Sequence, residues 1–279
     1  MTSDTTALAS QHLAFIGGGN MASAIVGGLI KQGVSPSQIQ VVEPWDEQRV
    51  RMMQQFGVQA TPSPDAELAR AGLVVWAVKP QMFREAAAQA SAYTSDPLHL
   101  SVAAGIRSDS IARWLGTERI VRAMPNTPAL VGQGMTGLVA RAGVHAADRQ
   151  TVEAVIGTTG HFVWLEAEAQ LDAVTALSGS GPAYVFYFLE AMIEAGMSMG
   201  LDRAQAHQLA VATFAGASAL AQASEEPPET LRARVTSKGG TTYAALTALE
   251  NAGVKQHFIA AMQAAGQRAA ELGDEFGAG

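Results

Sequence analysis

His12-Leu-Ala-Phe-Ile-Gly-Gly-Gly-Asn-Met-Ala22 is the stretch that decides the fold. Its first five residues form an apolar run without polar alternation, which predicts a strand buried on both faces. Three glycines stop that run. Met21 to Gln32 then carries helical spacing, with Gly33 as a C-terminal cap. Gly17-Gly18-Gly19-Asn20-Met21-Ala22 satisfies GxGxxA at the junction of strand and helix. Gly17 permits the sharp turn, Gly19 lets the backbone approach a pyrophosphate, and Ala22 lets the helix pack against the sheet. The helix start offers free N–H groups and a positive dipole end to phosphates. A Gly-rich loop can also be a plain turn, but the strand–turn–helix context favours a dinucleotide site.

Strand signals continue outward from this motif. Ile39-Gln-Val-Val42 ends at Glu43-Pro44, Glu47 to Phe56 reads as a helix stopped by Gly57, and Val58 to Ala60 as a short strand. Leu73 to Val78 is an apolar strand ended by Lys79-Pro80, followed by a helix over Gln81–Tyr93. His99–Ala103 and Arg119–Met124 are further strands, with Gly137–Ala140 and His161–Trp164 as late ones on the same sheet. Strands alternating with helices imply βαβ units and a mainly parallel sheet, which binds ligands at its carboxyl edge. That edge carries Glu43, Val78, Lys79, Pro80, Ala103, Ala104 and Asn126. A carboxylate at Glu43 can bond both ribose hydroxyls and would repel a 2′-phosphate, favouring NADH over NADPH. The other reading turns Glu43 to solvent.

After Glu166 the pattern changes to Ala-rich helices over Ala169–Ser178, Pro182–Met199 and Asp202–Ser224, then Glu229–Val235 and Thr242–Leu272. The expected fold class is therefore α/β: an N-terminal Rossmann-type doubly wound sheet over 1–166, followed by an all-helical domain over 167–279. Two small-residue clusters punctuate the helices. In Leu177-Ser-Gly-Ser-Gly-Pro-Ala-Tyr184, Ser180 is a candidate N-cap, Pro182 suits a first turn, and the glycines let two helices touch. Tyr184 and Tyr187 read as core. In Val235-Thr-Ser-Lys-Gly-Gly-Thr-Thr242, Ser237 to Thr242 presents N–H groups and hydroxyls at a helix start. That suits a small carboxylate, or equally a plain capping loop.

Composition narrows the class. The 279 residues suit two domains, and 48% hydrophobic against 15% charged predicts a folded chain with closely packed helices, whether within a monomer or at a large subunit interface. A net charge of −7 without basic runs argues against nucleic-acid binding. The chain has no cysteine and its six histidines are scattered, so no metal site is expected. Residues 1–11 are polar, expected to be flexible and without a signal-peptide pattern. No apolar run approaches the roughly 20 residues of a membrane span. A cytoplasmic protein without membrane contact is expected.

Reduction of a ketone or aldehyde needs a proton donor for the forming alkoxide. The helical half offers no Tyr-x-x-x-Lys or His–Asp pairing. An imine fits better, since its nitrogen can be protonated before hydride arrives, leaving only a hydroxyl to orient C=N and an anion pocket to be supplied.

Phe15-Ile-Gly-Gly-Gly-Asn-Met-Ala22, Ala77-Val-Lys-Pro80, Ala103-Ala-Gly105, Arg122-Ala-Met-Pro-Asn-Thr-Pro128, Asp172 through Tyr184, and Thr236-Ser-Lys-Gly-Gly-Thr-Thr242 resemble, in order, the signatures of pyrroline-5-carboxylate reductase. The resemblance implies hydride transfer from NADPH or NADH to the C=N carbon of 1-pyrroline-5-carboxylate, giving L-proline. It implies that Thr242 bonds the ring nitrogen as the catalytic hydroxyl. Ser237 and the backbone of Gly240, Thr241 and Thr242 would hold the carboxylate, with Glu168 and Glu225 lining the pocket. Gly18, Asn20, Met21, Val78, Lys79 and Ala104 would touch the cofactor. It further implies a homodimer formed through the helical domain, extending to a decamer of dimers. Lys238 replaces a proline common in the family, and Pro64 and Arg234 replace asparagines that some members place on the cofactor, which bears on the choice between NADH and NADPH. The competing readings are a reductase of another small cyclic imine, a hydroxy-acid dehydrogenase, and a non-catalytic dinucleotide sensor.

Overall fold

The computed structural model describes Leu8 and residues 11–277. Among them the strands are β1 His12–Ile16, β2 Ile39–Val42, β3 Ala60–Thr61, β4 Ala71–Trp76, β5 Leu98–Ser101, β6 Ile120–Met124, β7 Gly134–Ala140 and β8 Gly160–Trp164. They form one sheet in the order β3-β2-β1-β4-β5-β6-β7-β8. Neighbours are parallel except β6 and β7. The run expected over 73–78 stops at Trp76: Ala77 still donates its N–H to the carbonyl of Ile16 (2.8 Å), the last residue of β1, and the pairing ends there.

The uninterrupted apolar strands follow from coverage of both sheet faces. Leu13, Phe15, Leu73 and Val75 enter one core with Ile25, Val26 and Leu29 of α1 (Asn20–Lys31). Ala14, Ile16, Val74 and Trp76 enter the other with Phe83, Ala87 and Ala90 of α3 (Pro80–Ala90). Trp76 stacks on Phe83 with ring centroids 4.9 Å apart. Between them in the chain lies α2 (Asp46–Phe56), capped by Gly57 in the left-handed region (φ 67°). Two further helices, α4 (Ser108–Leu115) and α5 (Ala146–Ile156), have no counterpart in the sequence reading, since their polar first turns resemble loops.

The chain divides into two compact units, one comprising residues up to Ser180 and from Ala265 onward, the other Gly181–Ala264. Residues 167–180, assigned from sequence to the helical domain, stay with the sheet unit. Ion pairs from Glu168 to Arg122 and from Asp172 to Arg107 hold them there. In that segment α6 (Gln170–Val174) runs into a π-helical turn, Thr175–Gly179. Ser180 is not an N-cap. Its backbone is helical, and its N–H donates to the Thr175 carbonyl, five residues back (2.8 Å). Gly179 approaches strand β6, not a second helix: a Cβ there would lie 2.5 Å from Met124 Cε.

The second unit contains α7 (Gly181–Ser198), α8 (Arg203–Ala223), α9 (Pro228–Arg234), α10 (Thr241–Asn251) and the start of α11 (Val254–Gly277). Asp202 caps α8 through a capping box with Gln205. The helical run expected over 242–272 is broken at Gly253, whose φ of 66° ends one helix before the next begins. Tyr184 meets Phe258 edge-on at 5.6 Å. Tyr187 is exposed, contrary to its reading as core, because α7 is apolar on more faces than this unit covers.

Of the segment expected to be flexible, Leu8 is instead fully buried, and Gln38 Nε2 donates to the carbonyls of Leu8 (3.3 Å) and Gln11 (3.1 Å). Residues 1–7, 9 and 10 lie outside the described residues. No described helix is long and apolar enough to cross a membrane.

Candidate active site

Strand β1 lies between β2 and β4, so the crevice where crossovers diverge opens at its carboxyl end. The glycine loop sits there. Gly17 has φ 98°, and a Cβ on it would lie 2.5 Å from the Ala77 carbonyl oxygen, so both backbone angle and space require glycine. Its N–H donates to the Val42 carbonyl (2.8 Å). Gly19 is the N-cap of α1, which has no side-chain cap and no acidic residue in its first turn. A Cβ at Gly19 would meet nothing within 4 Å, and Asn20 beside it is exposed. Ala22 is fully buried against the sheet. An open approach to uncapped helical N–H groups fits a pyrophosphate.

Glu43 does not turn to solvent. It is 6% exposed, and its Oε2 accepts from Gly18 N–H (2.7 Å) while Oε1 accepts from Trp45 N–H (2.9 Å). Arg49 donates to the carbonyls of Glu43 (2.9 Å) and Pro44 (2.7 Å) and pairs with Asp46 (2.6 Å). Gln48 donates its amide to the Gly18 carbonyl.

Along the same edge, Lys79 is the N-cap of α3 and Pro80 its first residue. Ala103 is buried and Ala104 exposed after β5. Gly105 follows with φ 71°, and a Cβ on it would lie 3.2 Å from Phe276 and 3.3 Å from Leu272. Asn126 stands beyond β6, where its side chain is occupied by protein groups. Nδ2 donates to the Ser178 carbonyl (3.3 Å) and Oγ (3.2 Å), and Oδ1 accepts from Met135 N–H (2.9 Å).

On the helical unit, Gly239 (φ 76°) turns the chain into α10, whose N-cap is Gly240. No side chain caps this helix and its first turn carries no acidic residue. Gly240 N–H donates to the Ser237 carbonyl (3.0 Å), and a Cβ on Gly240 would lie 2.7 Å from Ser237 Oγ. Ser237, Lys238, Thr241 and Thr242 are all exposed. The structure thus brings together three hydroxyls, a cation and open N–H groups. Glu225 is exposed, in the turn between α8 and α9.

Glu168 is differently placed. Its carboxylate accepts from Ser108 N–H and Oγ (both 2.6 Å) and pairs with the buried Arg122. Burial acts to raise its pKa, but the Arg122 charge and the Ser108 bonds outweigh it and hold the carboxyl below its ordinary value. Beside it Arg107 pairs with Asp172 (2.9 Å), and Arg141 Nη1 donates to Ser108 Oγ (2.9 Å). Sequence reading did not find Arg107, Ser108 or Arg141, because no local spacing announces partners so distant along the chain.

A glycine loop at a sheet switch point and an uncapped, hydroxyl-rich helix start on an all-helical unit suit a nicotinamide-dependent oxidoreductase of two units. Residues 168–272 match the family model described as pyrroline-5-carboxylate reductase dimerisation. Residues 12–105 match the one described as NADP oxidoreductase coenzyme F420-dependent. A pyrroline-5-carboxylate reductase of Pseudomonas aeruginosa is 43% identical over 272 residues, covering 97% of this chain and 100% of that one. A solved pyrroline-5-carboxylate reductase of Coxiella burnetii superposes with a TM-score of 0.88 at 38% identity, covering 94% and 98% of the two chains. One from Plasmodium falciparum, solved with NADP bound, gives 0.85 at 29% identity over 95% and 99%. The chain belongs to the pyrroline-5-carboxylate reductase family.

Proposed function

We propose that this protein reduces the C=N bond of 1-pyrroline-5-carboxylate to give L-proline, the final step of proline biosynthesis. NADH or NADPH, when bound at the β1 loop, supplies the hydride. The observation that carries the substrate side is the uncapped start of α10, with the hydroxyls of Ser237, Thr241 and Thr242 exposed around it. The N–H groups of Thr241 and Thr242 and the Ser237 hydroxyl hold the substrate carboxylate, while Lys238 adds favourable charge beside it. The Thr242 oxygen accepts from the protonated ring nitrogen and fixes the C=N plane. With the nitrogen already protonated, hydride addition to carbon yields the amine directly. No oxyanion forms, and no acid of His or Tyr type is required.

Glu225, acidic and exposed, suits contact with the cationic ring nitrogen. Glu168 lines the family's pocket by resemblance, and its bonds to Ser108 and Arg122 favour a role in fixing the local backbone. The dimerisation match and the bare apolar helices support a homodimer, and a decamer of dimers is the assembly proposed beyond it. A cytoplasmic location fits this metabolic role.

The test follows loss of reduced-nicotinamide absorbance with 1-pyrroline-5-carboxylate present and omitted. Thr242→Ala is expected to lower turnover by about 10–100-fold, the scale of one charge-assisted hydrogen bond, with the dissociation constant for the cofactor unchanged. Parallel loss of turnover and cofactor binding would remove Thr242 from this role.

A further inference from the structure

The end of β2 is where a dinucleotide's adenosine ribose meets protein in sheets of this topology. In this chain that place holds a carboxylate clamped by the backbone. A glutamate on an exposed loop could swing aside for a phosphate. Glu43 cannot do so without releasing the Gly18 and Trp45 N–H groups. Gly18 belongs to the dinucleotide loop, so the carboxylate and the pyrophosphate cradle are built as one piece. Each clamped oxygen still has acceptor capacity for a ribose hydroxyl.

A 2′-phosphate is accommodated in such folds by a nearby arginine. Arg49 is the α2 arginine that reaches back to the end of β2, and it is already committed. Its guanidinium is turned onto the Glu43 and Pro44 carbonyls and held by the Asp46 carboxylate at 2.6 Å.

We propose that Glu43 and Asp46 together make this chain select NADH over NADPH, Glu43 by fixing a carboxylate at the 2′ position and Asp46 by restraining Arg49 from reaching a phosphate there. The inference rests on the dinucleotide reading of the β1 loop. It gives Arg49 a latent role: released from Asp46 and no longer faced by Glu43, it is a phosphate-binding guanidinium.

The experiment is calorimetric titration of the full-length protein with NADH and with NADPH, without substrate, so that binding is read apart from turnover. The wild type is expected to bind NADH on the order of tenfold or more tighter, the scale of one charge-assisted contact. Glu43→Gln, which keeps the side chain's shape, and Glu43→Ser should each narrow that ratio by a similar factor, mainly through tighter NADPH binding. Adding Asp46→Ala to Glu43→Ser should carry the preference over to NADPH. A wild type that binds NADPH as tightly as NADH overturns the proposal while leaving the dinucleotide reading standing. Variants that weaken both cofactors alike overturn it as well, showing that the clamp only shapes the loop. Binding of neither cofactor to folded wild type would overturn the dinucleotide reading and the inference with it.

Discussion

The two compact units use apolar residues in opposite ways. In the sheet unit they disappear into two cores, one on each face, where Phe15, Trp76, Phe83 and Leu100 are inaccessible to solvent. The helical unit buries only a small cluster, Ile193, Ala206 and Ala210 against Leu189. It leaves Phe186 59%, Tyr187 69% and Met199 78% exposed, with Leu209 and Leu220 also bare. A monomeric domain rarely leaves so much large apolar side chain in water. Similar hydrophobicity is therefore distributed differently: in the first unit it makes a core, and in the second it stays on the surface of a region that matches the dimerisation family model.

The largest effect is expected where that contrast is greatest. Phe186→Asp with Leu209→Asp would place charges in the apolar faces of α7 and α8, at a cost of several kcal/mol if a second copy covers them. Light scattering should then show a monomer at concentrations where the wild type is dimeric, with the helical unit melting earlier and dinucleotide binding to the sheet unit retained. A variant that stays dimeric would show that these residues serve another purpose.

The next test concerns the junction segment that the sheet unit claims. Glu168→Gln keeps an acceptor for Ser108 but leaves Arg122 without its counter-charge, which should destabilise the protein by about 3 kcal/mol, the lower end for a broken buried pair. Urea denaturation would measure it. If stability is unchanged and only the KM for the imine rises, Glu168 belongs to the substrate pocket as the family resemblance implies.

A smaller effect should appear on acidification. His99 lies within β5, and its Nδ1 accepts from Trp76 Nε1–H at 3.0 Å. Burial lowers its pKa from 6.5 to about 4, with Asp96 opposing and Arg119 assisting. The unfolded chain therefore binds this proton more readily, so the stability it contributes is complete above pH 6.5 and lost as pH falls toward 4. By pH 5 that loss amounts to about 2 kcal/mol. Glu168 adds to it at lower pH, since its depressed pKa supplies stability that vanishes as the carboxyl protonates. Denaturation midpoints of wild type and His99→Asn at pH 7 and 5 would separate the histidine's share; equal acid sensitivity in both would assign the loss elsewhere.

Much of the fold and the candidate site was legible because its causes are local. A run such as Leu73–Trp76 can only be a doubly covered strand, and Gly17 declares a turn no other residue could make. The loop from Ser237 to Thr242 was legible for the same reason, since a helix start is written in consecutive residues. The failures share a cause too. Ser180 looked like a cap because a π-helical turn leaves no mark in side-chain spacing, and Tyr187 looked like core because hydrophobicity does not say which chain will cover it.

From its sequence alone this protein was determined to be a glycine-loop α/β sheet followed by Ala-rich helices, one of them opening on a hydroxyl- and glycine-rich start. Apolar periodicity, glycine placement and capping chemistry all act over a few neighbouring residues. Only the tertiary structure decided that Glu43 is clamped by Gly18 and Trp45, that Arg49 is held by Asp46, and that Glu168 is answered by Arg122. A charged side chain's role depends on the desolvation and partners it meets after folding, and those partners are set by the packing of whole elements.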